Sequence, residues 1–320
     1  MTSFDVFNGD ADGICALHQL RLAEPRPDAE LITGVKRDVK LLAKIQNIRQ
    51  AQITVLDISL DSNRRELDTL LASGCTVFYA DHHFAGEIPA NDALTAHLDP
   101  NPEVCTSLII DRLLEGQFRP WAVAAAFGDN LHAAARQAAA PLGLNEDQLL
   151  TLRELGELLN YNGYGRTVDD LHLPPAALYR AVHDFEDPFA FCSQSAIMTQ
   201  LRQGFTDDMG KARESKPLTD DVVGRIYRFP AEPWSRRVAG VFSNEKARER
   251  EELAHALLVD NGDATFTVSV RAPLNNKQGA DTLCRRFATG GGRAGAAGIN
   301  QLPADQIDTF SRAFKEVFTS

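Results

Sequence analysis

Paired cysteines, a long apolar run and an excess of positive charge are all missing from this 320-residue chain. The five cysteines, Cys15, Cys75, Cys105, Cys192 and Cys284, lie far apart with no CxxC pair. That excludes a zinc knuckle and a disulfide framework and leaves buried free thiols as the expectation. No uncharged apolar stretch reaches the roughly 20 residues that a membrane helix needs. The opening MTSFDVFNGDADG has neither the basic start nor the apolar core of a targeting peptide, so no membrane association is expected and the cytoplasm is the expected location. Lysine and arginine number 33 against 44 aspartates and glutamates, a net charge of -11. Such a balance repels a polyphosphate backbone at long range, so a long duplex nucleic acid is not an expected partner. A small anion is compatible with it, because bound cations can supply a local positive site. Internal repeats and low-complexity tracts are absent too.

What is present is alternation. Strands predicted at Phe4–Asn8, Ile53–Ile58 and Thr76–Ala80 alternate with helices at Ile14–Leu22 and Arg64–Leu71. This points to an α/β fold: a parallel sheet with helices on both faces, carrying its site at the strand C-terminal ends. Helical spacing continues at Cys105–Leu114, Trp121–Ala126 and Leu149–Leu159, and Asn160–Arg166, NYNGYGR, reads as a turn-rich loop. Asp187–Arg213 reads as one long connecting helix, weakened by Gly204 and Gly210. Beyond the polar stretch Lys216–Asp221, strands are expected at Val222–Phe229, Val238–Phe242 and Ala264–Arg271. A helix at Gly279–Phe287, the glycine loop TGGGRAGAAG and a final helix at Ala304–Phe318 follow. The expected organisation is a catalytic domain over residues 1–185, a helical linker over 186–220, and a smaller α/β domain with a mixed sheet over 221–320.

The chemistry lies at the predicted strand ends. Asp10 and Asp12 share a glycine-flanked turn, where an Asx turn or helix cap is the ordinary role for such residues. Asp57 closes an apolar strand, where a charge is costly unless it meets a partner or a metal. Asp81, His82 and His83 do the same after the next strand, adding imidazole to carboxylate oxygen. Such a mixed, oxygen-rich set suits Mn²⁺ or Mg²⁺ better than structural zinc. Cys105, Thr106 and Ser107 open a helix, with capping by the hydroxyls as the expected role, and Trp121 and Trp234 are expected in the core.

These segments, Asp10-Ala11-Asp12-Gly13, Leu56-Asp57, Asp81-His82-His83 and Gly128-Asp129, resemble in order and spacing the four motifs of the DHH phosphoesterase superfamily. That superfamily includes RecJ-type exonucleases, nano-RNases and cyclic-dinucleotide phosphodiesterases. Gly290–Gly298, with Val270 and Arg271 before it, is similar to the substrate-binding domain that accompanies the nucleotide-cleaving members. The resemblance implies two Mn²⁺ ions, with Mg²⁺ as an alternative. Asp57 would bridge them, Asp10 would hold the first, and Asp12, His82 and Asp129 the second. His83 would contact the scissile phosphate or protonate the leaving oxygen. Arg271, Gly290, Gly291, Gly292 and Arg293 would bind substrate, with Asn162 and Arg166 near the site.

Two positions depart from the family pattern. Where relatives carry a histidine two or four residues before the first aspartate, this chain has Asn8 and Val6. Asn8 can still offer a carbonyl oxygen, a weaker transition-metal ligand than imidazole. The usual GGGH is GGGR, ending in Arg293; arginine pairs bidentately with phosphate but cannot act as a neutral partner to a base or sugar. The expected activity is metal-dependent hydrolysis of phosphoesters in small phosphorylated nucleotides or short oligonucleotides. A RecJ-like single-strand exonuclease and a catalytically degenerate nucleotide-binding or regulatory protein are the alternatives. The sequence leaves the oligomeric state open, a homodimer included.

Overall fold

The computed structural model describes residues 2–319. The chain divides between Gly204 and Phe205 into two compact units. In the first, β1 (Ser3–Phe7) leads into α1 (Ala11–Ala23), followed by β2 (Glu30–Ile32), β3 (Gln52–Leu56), α2 (Arg64–Ala72), β4 (Thr76–Asp81) and β5 (Leu94–Leu98). Then come α3 (Thr106–Leu113), α4 (Arg119–Gly128), α5 (His132–Ala139), α6 (Glu146–Asn162), α7 (Pro175–His183) and α8 (Pro188–Gln194), and α9 (Ala196–Glu214) runs across the division.

Among the described residues these strands form a five-stranded sheet of order β2-β1-β3-β4-β5, every pair parallel. The strands are short runs of β-branched and aromatic residues, and their period of two sorts the side chains between faces. Phe4, Val6, Ile53, Val55, Val77 and Tyr79 close one core with Leu67, Leu70 and Leu71 of α2. On the other face Arg21 of α1 reaches Asp5 at 2.8 and 2.5 Å and Thr54 Oγ1 at 2.7 Å. Both ionic side chains are 2% exposed, so removing one would strand the other at a cost of about 3–5 kcal/mol. Helices therefore lie on both faces. From β1 the chain passes to β2 on one flank and returns to β3 on the other, so strand order reverses at β1. Sheets of this kind bind ligands beyond the strand C-termini at such a reversal. Asp10 and Asp57 stand there, and Asp81 ends β4.

The second unit contains β6 (Thr219–Asp220), β7 (Gly224–Phe229), α10 (Pro233–Glu249), β8 (Ala254–Asp260), β9 (Thr265–Arg271), α11 (Ala280–Cys284), β10 (Gly290–Arg293), β11 (Ala296–Pro303) and α12 (Ile307–Phe318). Its sheet has the order β10-β11-β9-β8-β7-β6, parallel between β7 and β8 and antiparallel elsewhere. Ile226, Ala256, Leu258, Val268 and Val270 pack one face against Leu283, Phe310 and Phe314.

The α/β class and the mixed sheet agree with the sequence, and several elements do not. Val238–Phe242, expected as a strand, lies inside α10. Pro233 starts that helix, and buried Trp234, Val238 and Phe242 recur every four residues along one face. The strand expected from Val222 begins at Gly224, with Val222 93% exposed. The single helix over Asp187–Arg213 is two, because Ser195 between α8 and α9 has extended backbone. The helix expected over Gly279–Phe287 shrinks to α11. The glycine loop is a β-hairpin, β10 paired with β11. Trp121 and Trp234 are buried, and all five cysteines are free and buried, as expected. Among the described residues no helix is long and apolar enough to cross a membrane.

Candidate metal centre

The turn after β1 is shaped by its own side chains. Asp10 caps α1, its Oδ1 accepting the N–H groups of Asp12 and Gly13 at 3.0 and 3.1 Å. Its Oδ2 meets the Lys36 ammonium at 2.5 Å, so one carboxylate both caps a helix and binds a cation. A Cβ on Gly13 would fall 2.2 Å from the Asn8 carbonyl oxygen, and one on Gly9 would fall 2.0 Å from that of Gly34. Glycine at both positions lets the turn close and lets the segment carrying Lys36 lie against it.

Asp12 is buried in the first turn of α1. Its two oxygens accept the N–H groups of Thr106 and Ser107, both at 2.7 Å. These belong to the first turn of α3, where unpaired amides and the helix dipole favour an anion. The Ser107 hydroxyl donates to the Asp12 carbonyl at 2.8 Å, and that of Thr106 to Asp57 Oδ1 at 3.2 Å. The hydroxyls expected to cap α3 thus hold the acidic residues, and the Asp12 carboxylate does the capping.

Asp57 leaves β3 with φ of 59°, a left-handed conformation that costs a non-glycine residue about 1–3 kcal/mol. Its N–H is held by the Ala80 carbonyl at 3.1 Å. Asp129 follows α4 at Gly128, where a Cβ would fall 2.6 Å from that of Ala11 and 2.8 Å from the Gly156 carbonyl oxygen. Glycine there allows α1, α4 and α6 to meet closely enough to deliver Asp129. His82 Nε2 lies 3.5 Å from Asp57 Oδ1 and 3.7 Å from Asp129 Oδ2, at and beyond the outer limit of hydrogen bonding. Asp12, His82 and Asp129 each offer a ligand atom within 4.8 Å of the others, as do Asp57, His82 and His83. His83 is more exposed, and its Nδ1 lies 2.7 Å from Asp81 Oδ1. Asn8 Oδ1 and Asp81 Oδ2 are buried with no hydrogen-bond partner among the described residues.

Crowded carboxylates resist ionisation. Burial, then the charges of Asp12, Asp10, Asp129 and Asp81, push the Asp57 carboxyl well above the ordinary range. Burial also raises Asp129, against the pull of Lys36. At Asp10 burial is outweighed by the Lys36 charge and the hydrogen bonds, so its carboxyl lies below the usual value. The hydrogen bond to Asp81 raises His83, against its burial. Cys15 and Cys105 are pushed up by burial and by the neighbouring aspartates.

In the second unit, Arg271 of β9 stands opposite Ala296 of β11, which stands opposite Arg293 of β10. Directly paired residues share a sheet face, so the small Ala296 side chain separates two guanidinium groups. Arg271 is tied to Asn244 Oδ1 at 2.8 Å and Ser269 Oγ at 2.9 Å, whereas Arg293 is exposed. The three glycines differ in function. A Cβ on Gly290 would fall 1.8 Å from the Cys284 carbonyl oxygen and one on Gly292 2.5 Å from Ala297 Cα, but one on Gly291 would meet nothing within 4 Å. Gly290 and Gly292 are required by packing, and Gly291 leaves open space.

No protein-family model and no curated protein matches the sequence. Solved structures do. A DHH-domain protein described as a member of a family of ribosomal proteins aligns with a TM-score of 0.64 at 13% identity, over 98% of this chain and 86% of its own. An exonuclease RecJ bound to manganese gives 0.63 at 14% identity, over 99% of this chain and 90% of its own. The chain has the DHH fold. A pGpG-specific phosphodiesterase of Vibrio cholerae, PggH, gives 0.52 at 11% identity, over 99% of both chains.

On this DHH fold the residues expected at the second cation position fit one. Asp12, His82 and Asp129 offer carboxylate oxygens and an imidazole, Asp57 Oδ1 lies 3.5 Å from the same imidazole, and the crowding that pushes the Asp57 carboxyl up is what a cation would relieve. The first position, expected between Asn8, Asp10 and Asp57, does not fit as it stands, because Asp10 Oδ2 is already taken by Lys36. Lys36, Asn160, Thr106 and Ser107 are the residues that motif spacing does not single out. A lone lysine in the loop GVKRD carries no spacing signal; the one hint is that so many aspartates need a counter-charge. Asn160, not Asn162, reaches the centre, through Lys36 at 2.9 Å. Asn162 exchanges hydrogen bonds with the backbone of Leu173 at 2.9 and 3.1 Å. Arg166 is exposed, its N–H bonded to Asp170 Oδ2 at 2.7 Å.

Proposed function

We propose that this chain is a metal-dependent phosphoesterase acting on small phosphorylated nucleotides or short oligonucleotides. The observation that carries this reading is the pair of ligand groups that share His82 beyond the C-terminal edge of a parallel sheet, Asp12 with Asp129 and Asp57 with His83, in carboxylates crowded enough to push the Asp57 carboxyl up. Of the two ions expected, this reading needs the one these residues would hold, with Mn²⁺ first in preference and Mg²⁺ second. When bound, that ion supplies Lewis acidity to the phosphoryl group. The protein's residues do the rest. Thr106 and the first turn of α3 fix the carboxylates, and His83, hydrogen-bonded to Asp81, donates a proton to the leaving oxygen as water attacks phosphorus from the opposite side. Arg293 pairs with a substrate phosphate through its fork of donors. The acidic balance of the chain, -11 overall, favours such small substrates over a long strand.

Turnover of an aryl phosphodiester and of a short panel of nucleotides tests the reading. The panel holds cyclic dinucleotides, linear dinucleotides such as pGpG, 3'-phosphoadenosine 5'-phosphate, pyrophosphate and short single strands. The expected result is no activity in EDTA and recovery with Mn²⁺ or Mg²⁺; silence with both ions across the panel would overturn it. Arg293→Ala should raise KM and spare kcat. A charged hydrogen bond is worth about 1.5–3 kcal/mol, which corresponds to a KM increase of about 10- to 150-fold. Steady-state kinetics on the best substrate of the panel would check this.

A further inference from the structure

The Lys36 ammonium is completely coordinated. Its three N–H donors meet three acceptors: Asp10 Oδ2 at 2.5 Å, Asn160 Oδ1 at 2.9 Å and Asp129 Oδ1 at 3.0 Å. Its backbone is fixed on both sides. The Lys36 N–H donates to the Gly163 carbonyl at 2.8 Å, and the Lys36 carbonyl accepts the Asn8 amide at 3.2 Å. The ring of Tyr164 lies 5.8 Å from the ammonium. Asn8 stands where an imidazole ligand was expected, and here its side chain grips the lysine.

We infer that Lys36 takes the place of the first of two cations, so that the chain works with a single divalent ion beside a cation of its own. The inference rests on the metal-dependent reading above and narrows it. Asn8 and Lys36 then have one explanation: the residue standing where an imidazole was expected holds the segment that brings the replacement charge. Asp129 becomes the shared group, with Oδ1 on Lys36 and Oδ2 facing His82. A divalent ion entering this place would have to displace the ammonium from all three acceptors. It would find an amide oxygen where an imidazole is the stronger ligand. With every donor engaged, the ammonium has none left for water or substrate. Lys36 is therefore a positioning residue, holding Asp10 and Asp129 and offsetting part of their charge.

Metal content decides the matter without reference to activity. The whole chain is loaded with Mn²⁺, dialysed to equilibrium and analysed for metal, and its low-temperature electron paramagnetic resonance spectrum is recorded. The wild type is expected to hold one ion per chain, with the signal of an isolated Mn²⁺. Lys36→Ala combined with Asn8→His is expected to hold two, with the signal of a coupled pair. Two coupled ions in the wild type would overturn the substitution and leave the metal-dependent reading standing. One ion in a folded double variant would overturn it as well, and no ion in the wild type would overturn both. A wild-type count other than one overturns the inference by itself, whether or not the double variant folds.

Discussion

Replacing Asp57 with asparagine should abolish hydrolysis and, in the absence of metal, make the protein more stable. The two effects have one origin. Asp57 is buried among Asp12, Asp10, Asp129 and Asp81, and its carboxyl is pushed well above the ordinary range. The folded chain therefore keeps a proton that the unfolded chain, with aspartates near about 3.9, has already lost. Stability of the metal-free protein must then fall as pH rises from that unfolded value through the folded one. Asparagine has the same shape without the charge and tolerates the left-handed backbone found at this position, so Asp57→Asn should lose this slope. It also removes a ligand charge worth several kcal/mol at the transition state, a fall in kcat/KM of about a thousand-fold or more. Thermal unfolding in EDTA and in Mn²⁺ separates the two effects: metal should raise the Tm of the wild type and leave that of the variant nearly unchanged. A variant that retained a tenth of the wild-type rate, or melted earlier than the wild type in EDTA, would contradict the assignment.

His83→Gln should lower kcat by about 10²- to 10⁴-fold, the usual contribution of a general acid. The companion change, Asp81→Asn, gives the sharper test. The hydrogen bond from Asp81 raises the His83 pKa despite burial, and an acid must hold its proton to act. Activity should be lost as pH rises through the His83 value, and removing the Asp81 charge should move that alkaline limb to lower pH. If the limb of the Asp81→Asn profile stayed where the wild type has it, His83 would not be the proton donor.

The parts of the fold that can be read from the sequence are those where local pattern and tertiary role coincide. β1, β3 and β4 are largely apolar and buried, and Asp10, Asp57 and Asp81 follow or end them, so the period-two signal and the motif signal fall on neighbouring residues. Edge strands β2 and β5 escape notice because their half-exposed residues alternate weakly. Around Val238–Phe242 the short apolar run is ambiguous between strand and helix, and only the wider spacing of Trp234, Val238 and Phe242 settles it. The glycine segment misleads for another reason: Gly290 and Gly292 serve close backbone approach inside a sheet, which a composition rule cannot distinguish from a turn. At the site, Asp10, Asp12, Asp57, His82 and Asp129 are fixed to the ends of regular elements and are visible through spacing. Lys36 reaches them from a loop after the short strand β2, so only the folded chain reveals it.

The carboxylates of this centre are held by groups that do not depend on an ion. Asp12 rests on two amides of α3, Asp10 on two amides of α1, and Asp57 on a hydroxyl of α3 and a fixed backbone. Mutual repulsion is therefore met when the chain folds, and capture of an ion relieves a tension already present. Such a cage is preorganised: a chelator should empty it without reshaping it, and exchange of one ion for another should need little rearrangement of the scaffold.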